Sequence, residues 1–136
     1  MKVREGMSKV VLTVGPGHTL RQAATLMASR RVGAAIVMDP EGAGPAILTE
    51  RDILESVAAG QDPDAEHVAE HLTADVVSAE PDWSLEAAAS AMVRGGFRHL
   101  LVVEGGEIAG IVSVRDIVRC WTDDGASCDM PAAAAG

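Results

Sequence analysis

Tyrosine is missing from this sequence, and aromatic residues amount to 2 % of it: Trp83, Phe97 and Trp121. A core must therefore be built from Ala, Val, Leu, Ile and Met, and the apolar share of 48 % excludes a disordered chain. Cysteine is scarce. Cys120 and Cys128 are too few for a disulfide framework and lack metal-ligand spacing, which points to a reducing cytoplasm. No apolar run approaches the roughly 20 residues that span a bilayer, and the N-terminus has no signal-peptide pattern, so no membrane partner is expected. Lysine is limited to Lys2 and Lys9. With 20 acidic residues against 11 basic ones the net charge is −9, which argues against general affinity for nucleic acid. A length of 136 residues fits one compact module with a real core.

What the chain does contain is an internal repeat. Residues 11–39 align without gaps on 76–104, and after one residue drops out, 46–54 align on 110–118. Identical pairs include Val11/Val76, Pro16/Pro81, Leu20/Leu85, Ala23/Ala88, Ala24/Ala89 and Met27/Met92. They continue through Val37/Val102, Ile47/Ile111, Arg51/Arg115, Asp52/Asp116 and Ile53/Ile117.

Each copy predicts the same elements. A short extended piece (10–14; 76–79) meets a proline and then a helix start, with Thr19 and Ser84 as N-caps and Gln22 at the capping-box position. Leu20, Ala23, Ala24 and Met27 follow at helical spacing, as do Leu85, Ala88, Ala89 and Met92. The small alanines allow another helix to approach closely. Apolar runs at 34–38 and 100–103 read as buried strands. Glycine turns at 41–44 and 105–106 lead into 46–48 and 108–112, giving hairpins. A second helix closes each copy, with Ile53, Leu54 and Val57, or Ile117, Val118 and Trp121, expected to face inward. The order is β-α-β-β-α twice, an α+β class. The reading divides the chain into an N-terminal segment 1–6, a first repeat 7–58, a polar connector 59–72 with one helical turn around Val68, a second repeat 73–121, and a disordered low-complexity tail 122–136.

A duplicated unit whose second helix opens with Thr49-Glu50-Arg51-Asp52, and again with Ser113-Val114-Arg115-Asp116, resembles a CBS domain pair, or Bateman module. The resemblance implies tandem repeats around a pseudo-twofold axis. It also implies a regulatory, non-enzymatic role in which clefts between the repeats hold an adenosyl ligand such as AMP, ADP, ATP, NAD or S-adenosylmethionine. Two such pairs commonly join, here as a homodimer through the alanine-rich helices. With no effector domain in the sequence, the signal would pass to a separate protein target.

Two readings of the repeated motif stand side by side. In one, Thr49 and Ser113 cap a helix while Asp52 and Asp116 reach back as the acids of a capping box. In the other, the helix N-terminus attracts phosphate, the hydroxyls of Thr49 and Ser113 donate to it, and Arg51 and Arg115 neutralise it. Asp52 and Asp116 then accept both ribose hydroxyls, the family's usual assignment. Arg98 and His99 stand where relatives often carry bases facing phosphate. Their counterparts Gly33 and Ala34 offer only backbone, so the two sites should differ in charge. Thr13 and Ser78 stand where the family's first strand meets the adenine. Ala46 replaces a glycine that Gly110 keeps, and Leu101 occupies a common proline position.

His67-Val68-Ala69-Glu70-His71 fits an inverted zinc-peptidase pattern but has no third ligand at a sensible spacing, so no metal site is expected. No nucleophile–base set is visible, and no cofactor is required beyond the regulatory nucleotide. Cys120 reads as a core thiol, and Cys128 as an unactivated one in the tail. The main competing reading is a structural dimerisation module without a ligand.

Overall fold

Each repeat folds where its capping and apolar signals place it. The computed structural model describes residues 1–39, 41–42, 44–74 and 76–123. Of the tail expected to be disordered, 122–136, Thr122 and Asp123 belong instead to the last helix, whose hydrogen-bonded turns continue through them; residues 124–136, Cys128 among them, lie outside the described residues, as does Ala43 of the first glycine turn. A four-residue helix, α1 (Val3–Gly6), opens the chain. The first repeat follows as β1 (Thr13–Val14), α2 (Leu20–Arg30), β2 (Ala34–Val37), β3 (Ala46–Thr49) and α3 (Glu50–Ala58). After a 3-10 turn at Val68–Glu70 come β4 (Ser78–Ala79), α4 (Leu85–Gly95), β5 (His99–Glu104), β6 (Glu107–Ser113) and α5 (Val114–Asp123). This is the predicted β-α-β-β-α order, twice.

The helix starts obey the sequence. Thr19 Oγ1 accepts from the Gln22 amide at 3.1 Å while Gln22 Oε1 accepts from the Thr19 amide at 2.9 Å. Ser84 Oγ accepts from the Ala87 amide at 3.0 Å. Both long helices end in the left-handed region, at Gly96 with φ 71° and at Arg31 with φ 55°. In each sheet the short first strand runs parallel to the second, and the third returns antiparallel. Gly105 and Gly106, both at positive φ, close the β5–β6 hairpin.

The described residues divide into two compact units, Val10–Val76 and Met1–Lys9 with residues 77–123. Leu12, Val14, Leu20, Ala23, Met27, Ala35, Val37 and Leu48 fill the first core, joined by Val68 of the connector. In the second, Ala79, Leu85, Ala88, Met92, Leu100, Val102, Val112, Ile117 and Cys120 pack around Val3.

That division differs from the one read in the sequence. The opening residues belong to the body of the second repeat. The Val3 amide donates to Trp83 O at 2.8 Å, the Arg4 amide to Pro81 O at 2.9 Å and the Leu85 amide to Met1 O at 3.0 Å. Ser8 and Ile111 exchange both backbone bonds. The connector performs the same task for the first repeat. The Val68 amide donates to His18 O at 2.8 Å, the Ala69 amide to Pro16 O at 3.0 Å and the Leu20 amide to Glu66 O at 2.9 Å. Thr73 and Ile47 exchange both bonds. The residues preceding each repeat therefore close the other repeat's unit.

The inward faces of the closing helices also differ from expectation. Ile53 is partly buried, and Ile117 is buried with Trp121 packed partly against it. Leu54, Val57 and Val118 are instead 67 %, 49 % and 52 % exposed. A helix presents i, i+3 and i+4 on one side. The occupied stripes are Ile53 with Ser56, whose hydroxyl donates to Gln61 Oε1 at 2.7 Å, and Ile117 with Cys120.

Candidate functional site

The two Thr/Ser-x-x-Asp motifs adopt the same geometry. The Thr49 amide donates to Asp52 Oδ2 at 2.8 Å, the Thr49 hydroxyl donates to the same oxygen at 3.1 Å, and the Asp52 amide donates back to Thr49 Oγ1 at 3.2 Å. At Ser113 and Asp116 the corresponding distances are 2.9, 3.0 and 3.1 Å. These are complete capping boxes.

The caps bear on the roles these groups can play. An ionised carboxylate only accepts, so each hydroxyl hydrogen is given to the aspartate, and the hydroxyl must break that bond before donating to a phosphate. The aspartates are less constrained, because the cap draws on Oδ2 alone. Asp116 Oδ1 lies 3.5 Å from Arg119 Nη1. Accepting from ribose is therefore compatible with the cap, whereas donating to phosphate competes with it.

Register and backbone bonds gather the other candidates around these helix starts. Ala34 pairs with Thr49 across β2–β3, and Gly33 O accepts from the Glu50 amide at 2.9 Å. His99 pairs with Ser113 across β5–β6, and Arg98 O accepts from the Val114 amide at 3.0 Å. Thr13 pairs with Ile36 and Ser78 with Leu101, each about 7 Å along the central strand from Ala34 or His99. Thr13, Ser78, Arg51, Arg98 and Arg115 are exposed; Gly33, Thr49, Asp52, His99, Ser113 and Asp116 are half-buried; Ala34 is buried. Each unit thus collects its own six candidates.

One contributor escaped the sequence reading. A Cβ on Gly33 would lie 3.1 Å from Glu50 Oε1, so the Glu50 carboxylate sits against the start of β2. Its counterpart in the second repeat is Val114. The first cluster therefore sets Glu50 and Asp52 against Arg51, a net negative charge. The second sets Arg98 and Arg115 against Asp116, a net positive one. The signal was the unlike residue directly after each cap hydroxyl.

The histidines of the connector are engaged in pairs. His67 Nδ1 lies 3.3 Å from Glu70 Oε1, and His71 Nε2 lies 2.8 Å from Glu66 Oε1. Among the described residues no three His, Cys, Asp or Glu side chains converge as metal ligands. No helix there is long and apolar enough to cross a membrane.

A model of the CBS domain matches residues 3–59 and again residues 68–123. The chain belongs to the CBS domain family. Both matches begin at the buried valines, Val3 and Val68, that start the exchanged segments. The CBS domain-containing protein YhcV of Bacillus subtilis is 36 % identical over 116 residues, covering 85 % of this chain and 81 % of that protein. Among solved structures, a CBS domain protein from Pyrobaculum aerophilum complexed with AMP superposes with a TM-score of 0.76 at 29 % identity, covering 85 % of this chain and 89 % of that one. A hexameric CBS-CP12 protein from bloom-forming cyanobacteria gives 0.83 at 28 % identity, covering 97 % and 76 %.

Proposed function

We propose that this CBS domain pair is a non-catalytic regulatory module of the cytoplasm that binds an adenosyl nucleotide and passes the signal to a separate protein. The observation that carries the reading is the positive cluster at the start of α5. Arg98 and Arg115 stand there with the ten-residue helix N-terminus of Val114–Asp123, a setting that favours phosphate. Asp116, whose cap uses one oxygen, accepts from the ribose, and Ser78 borders the base. The related Pyrobaculum protein complexed with AMP supports an adenosyl ligand. The first cluster, with Glu50 and Asp52, binds an anionic ligand more weakly. Self-association through the alanine-rich helices belongs to the same proposal, supported by the hexameric cyanobacterial relative. The ligand acts by favouring one of the conformations or assemblies already in equilibrium.

Thermal-shift titration with AMP, ADP, ATP, NAD and S-adenosylmethionine tests the reading. A ligand at about 100 times its dissociation constant adds about 2.7 kcal/mol, several degrees of midpoint. Arg98→Ala, which touches no cap, should weaken binding about tenfold or more by removing a charged hydrogen bond. Asp116→Asn keeps a cap acceptor and should also weaken binding. If no ligand moves the wild-type midpoint at millimolar concentration, both motifs are caps alone and the dimerisation-module reading takes over.

A further inference from the structure

The first turns of α5 touch both the second candidate site and the opening segment. Asp116 Oδ2 accepts from the Ser113 amide at 2.9 Å and from its hydroxyl at 3.0 Å. The other oxygen, Oδ1, lies 3.5 Å from Arg119 Nη1. The same guanidinium donates through Nη2 to Gly6 O at 3.1 Å. Gly6 is also pressed onto the next residue of the helix, where a Cβ on it would lie 2.8 Å from Cys120 Sγ. Two residues further on, Ser8 exchanges backbone bonds with Ile111, two residues before the cap hydroxyl of Ser113. The opening segment is thus fastened to both elements that build the cap.

The carboxylate of Asp116 cannot serve every donor at once. An ionised carboxylate offers about four lone-pair positions. The cap takes two of them, both on Oδ2. A ribose diol needs two more, and these are on Oδ1, where Arg119 stands. We infer that an adenosyl ligand displaces Arg119 from Asp116 and thereby loosens the opening segment from α5. The Arg119 side chain is 58 % exposed and is pinned by its contacts with Asp116 and Gly6. Once Asp116 is taken, the bond to Gly6 alone must offset the rotamer freedom of a long side chain. The coupling is reciprocal: a ligand that loosens the segment binds tighter when the segment's tie to Asp116 is removed. The inference rests on the ribose role proposed above for Asp116 and gives the signal a physical output, the hold on Met1–Ser8.

The first unit has no such link. Thr73 and Ile47 make the corresponding backbone exchange, so the connector is fastened to β3 in the same way. The residue three places after Asp52 is Glu55, however, whose carboxylate has no N–H to donate. In place of Gly6 stands His71, which is paired with Glu66 at 2.8 Å. A ligand at Asp52 therefore leaves the closure of the first unit as it was.

Hydrogen exchange on the intact chain tests the coupling, using whichever of AMP, ADP, ATP, NAD and S-adenosylmethionine raises the thermal midpoint most. Ligand binding ordinarily stabilises a fold and slows exchange. The Ser8 amide should instead exchange about threefold faster with ligand, the scale of one exposed ion pair, while the Thr73 amide should not accelerate. Arg119→Gln should bring Ser8 to the faster rate without ligand and abolish its response. It should also tighten ligand binding about threefold, because Asp116 Oδ1 is then open. Arg119→Lys keeps the charge but not the fork that spans two acceptors, and should behave like Arg119→Gln. Slower exchange at Ser8 with ligand, weaker binding by Arg119→Gln, or a wild-type response in Arg119→Lys would each overturn the coupling and leave the nucleotide reading intact. If no ligand moves the midpoint, the nucleotide reading falls and the coupling falls with it.

Discussion

The unit Val10–Val76 and the unit of Met1–Lys9 with residues 77–123 match in backbone plan down to corresponding hydrogen bonds, yet their candidate sites carry opposite charge. Ala34, Glu50 and Asp52 surround one helix start; His99, Val114 and Asp116 surround the other, with Arg98 beside them. The hydroxyl-and-aspartate caps and the inward apolar positions are kept because the fold requires them in both units. The positions that differ line the sites, where the fold leaves the side chain open. Duplication therefore supplies two equivalent frames, and divergence has left them with opposite formal charge.

A close approach of backbone to backbone offers the strongest way to break the match. A Cβ on Gly110 would sit 2.4 Å from Ser8 O, whereas Ala46, at the equivalent place, carries its methyl group with 6 % exposure. Gly110→Ala should cost about 2–3 kcal/mol, by forcing the backbone of the opening segment to move. Ala46→Gly should cost only about 0.5–1 kcal/mol, the entropic penalty of glycine in a strand. Urea unfolding of the pair decides; equal losses would mean that the two frames cross their edges alike.

A second test asks whether the exchanged segments are equivalent. Val3 and Val68 are both fully buried. Val3→Ala and Val68→Ala should each lose about 1.6 kcal/mol, two methyl groups' worth, although one lies near the chain terminus and the other in mid-chain. A much smaller loss at Val3 in the same unfolding measurement would show that the opening segment is only loosely held.

The smallest effect concerns acid. Arg4 donates to Asp82 at 3.0 Å, and that hydrogen bond with its charge holds Asp82 below the usual carboxylate range. The equivalents in the other unit are Ala69 and Gly17, which carry no charge. A carboxylate lowered in the folded state stabilises it above the unfolded pKa and loses that contribution as pH falls below about 4. Because the pair is exposed, the change should be slight. Hydrogen-exchange protection of the Arg4 amide should fall relative to that of Ala69 on acidification, and Asp82→Asn should abolish the difference. Parallel behaviour of the two amides in wild type would contradict the assignment.

The sequence exposed the helices most clearly, because the spacing of Leu20, Ala23 and Met27 and the hydroxyls of Thr19 and Ser84 are local signals. Both caps at Thr49 and Ser113 were equally legible. The exchange of the opening segments was not. Val3–Ser8 and Val68–Thr73 share Val3/Val68 and Glu5/Glu70, too little to extend the alignment, and no local pattern says which body a segment closes. The outward turn of Leu54, Val57 and Val118 was hidden for a related reason, since neighbouring apolar residues on a helix leave open which of them the core takes. Glu50 is not marked by the repeat, because it stands opposite Val114, at a position where the two copies differ.

The reciprocal closure has a mechanical consequence. Both ends of the described chain are held in one unit, and Val10–Val76 hangs between them as a loop that leaves and re-enters it. Tension applied at Met1 and Asp123 would load the unit built on β4, β5 and β6 first. The unit containing the negative cluster would feel no pull until the opening segment had been stripped away.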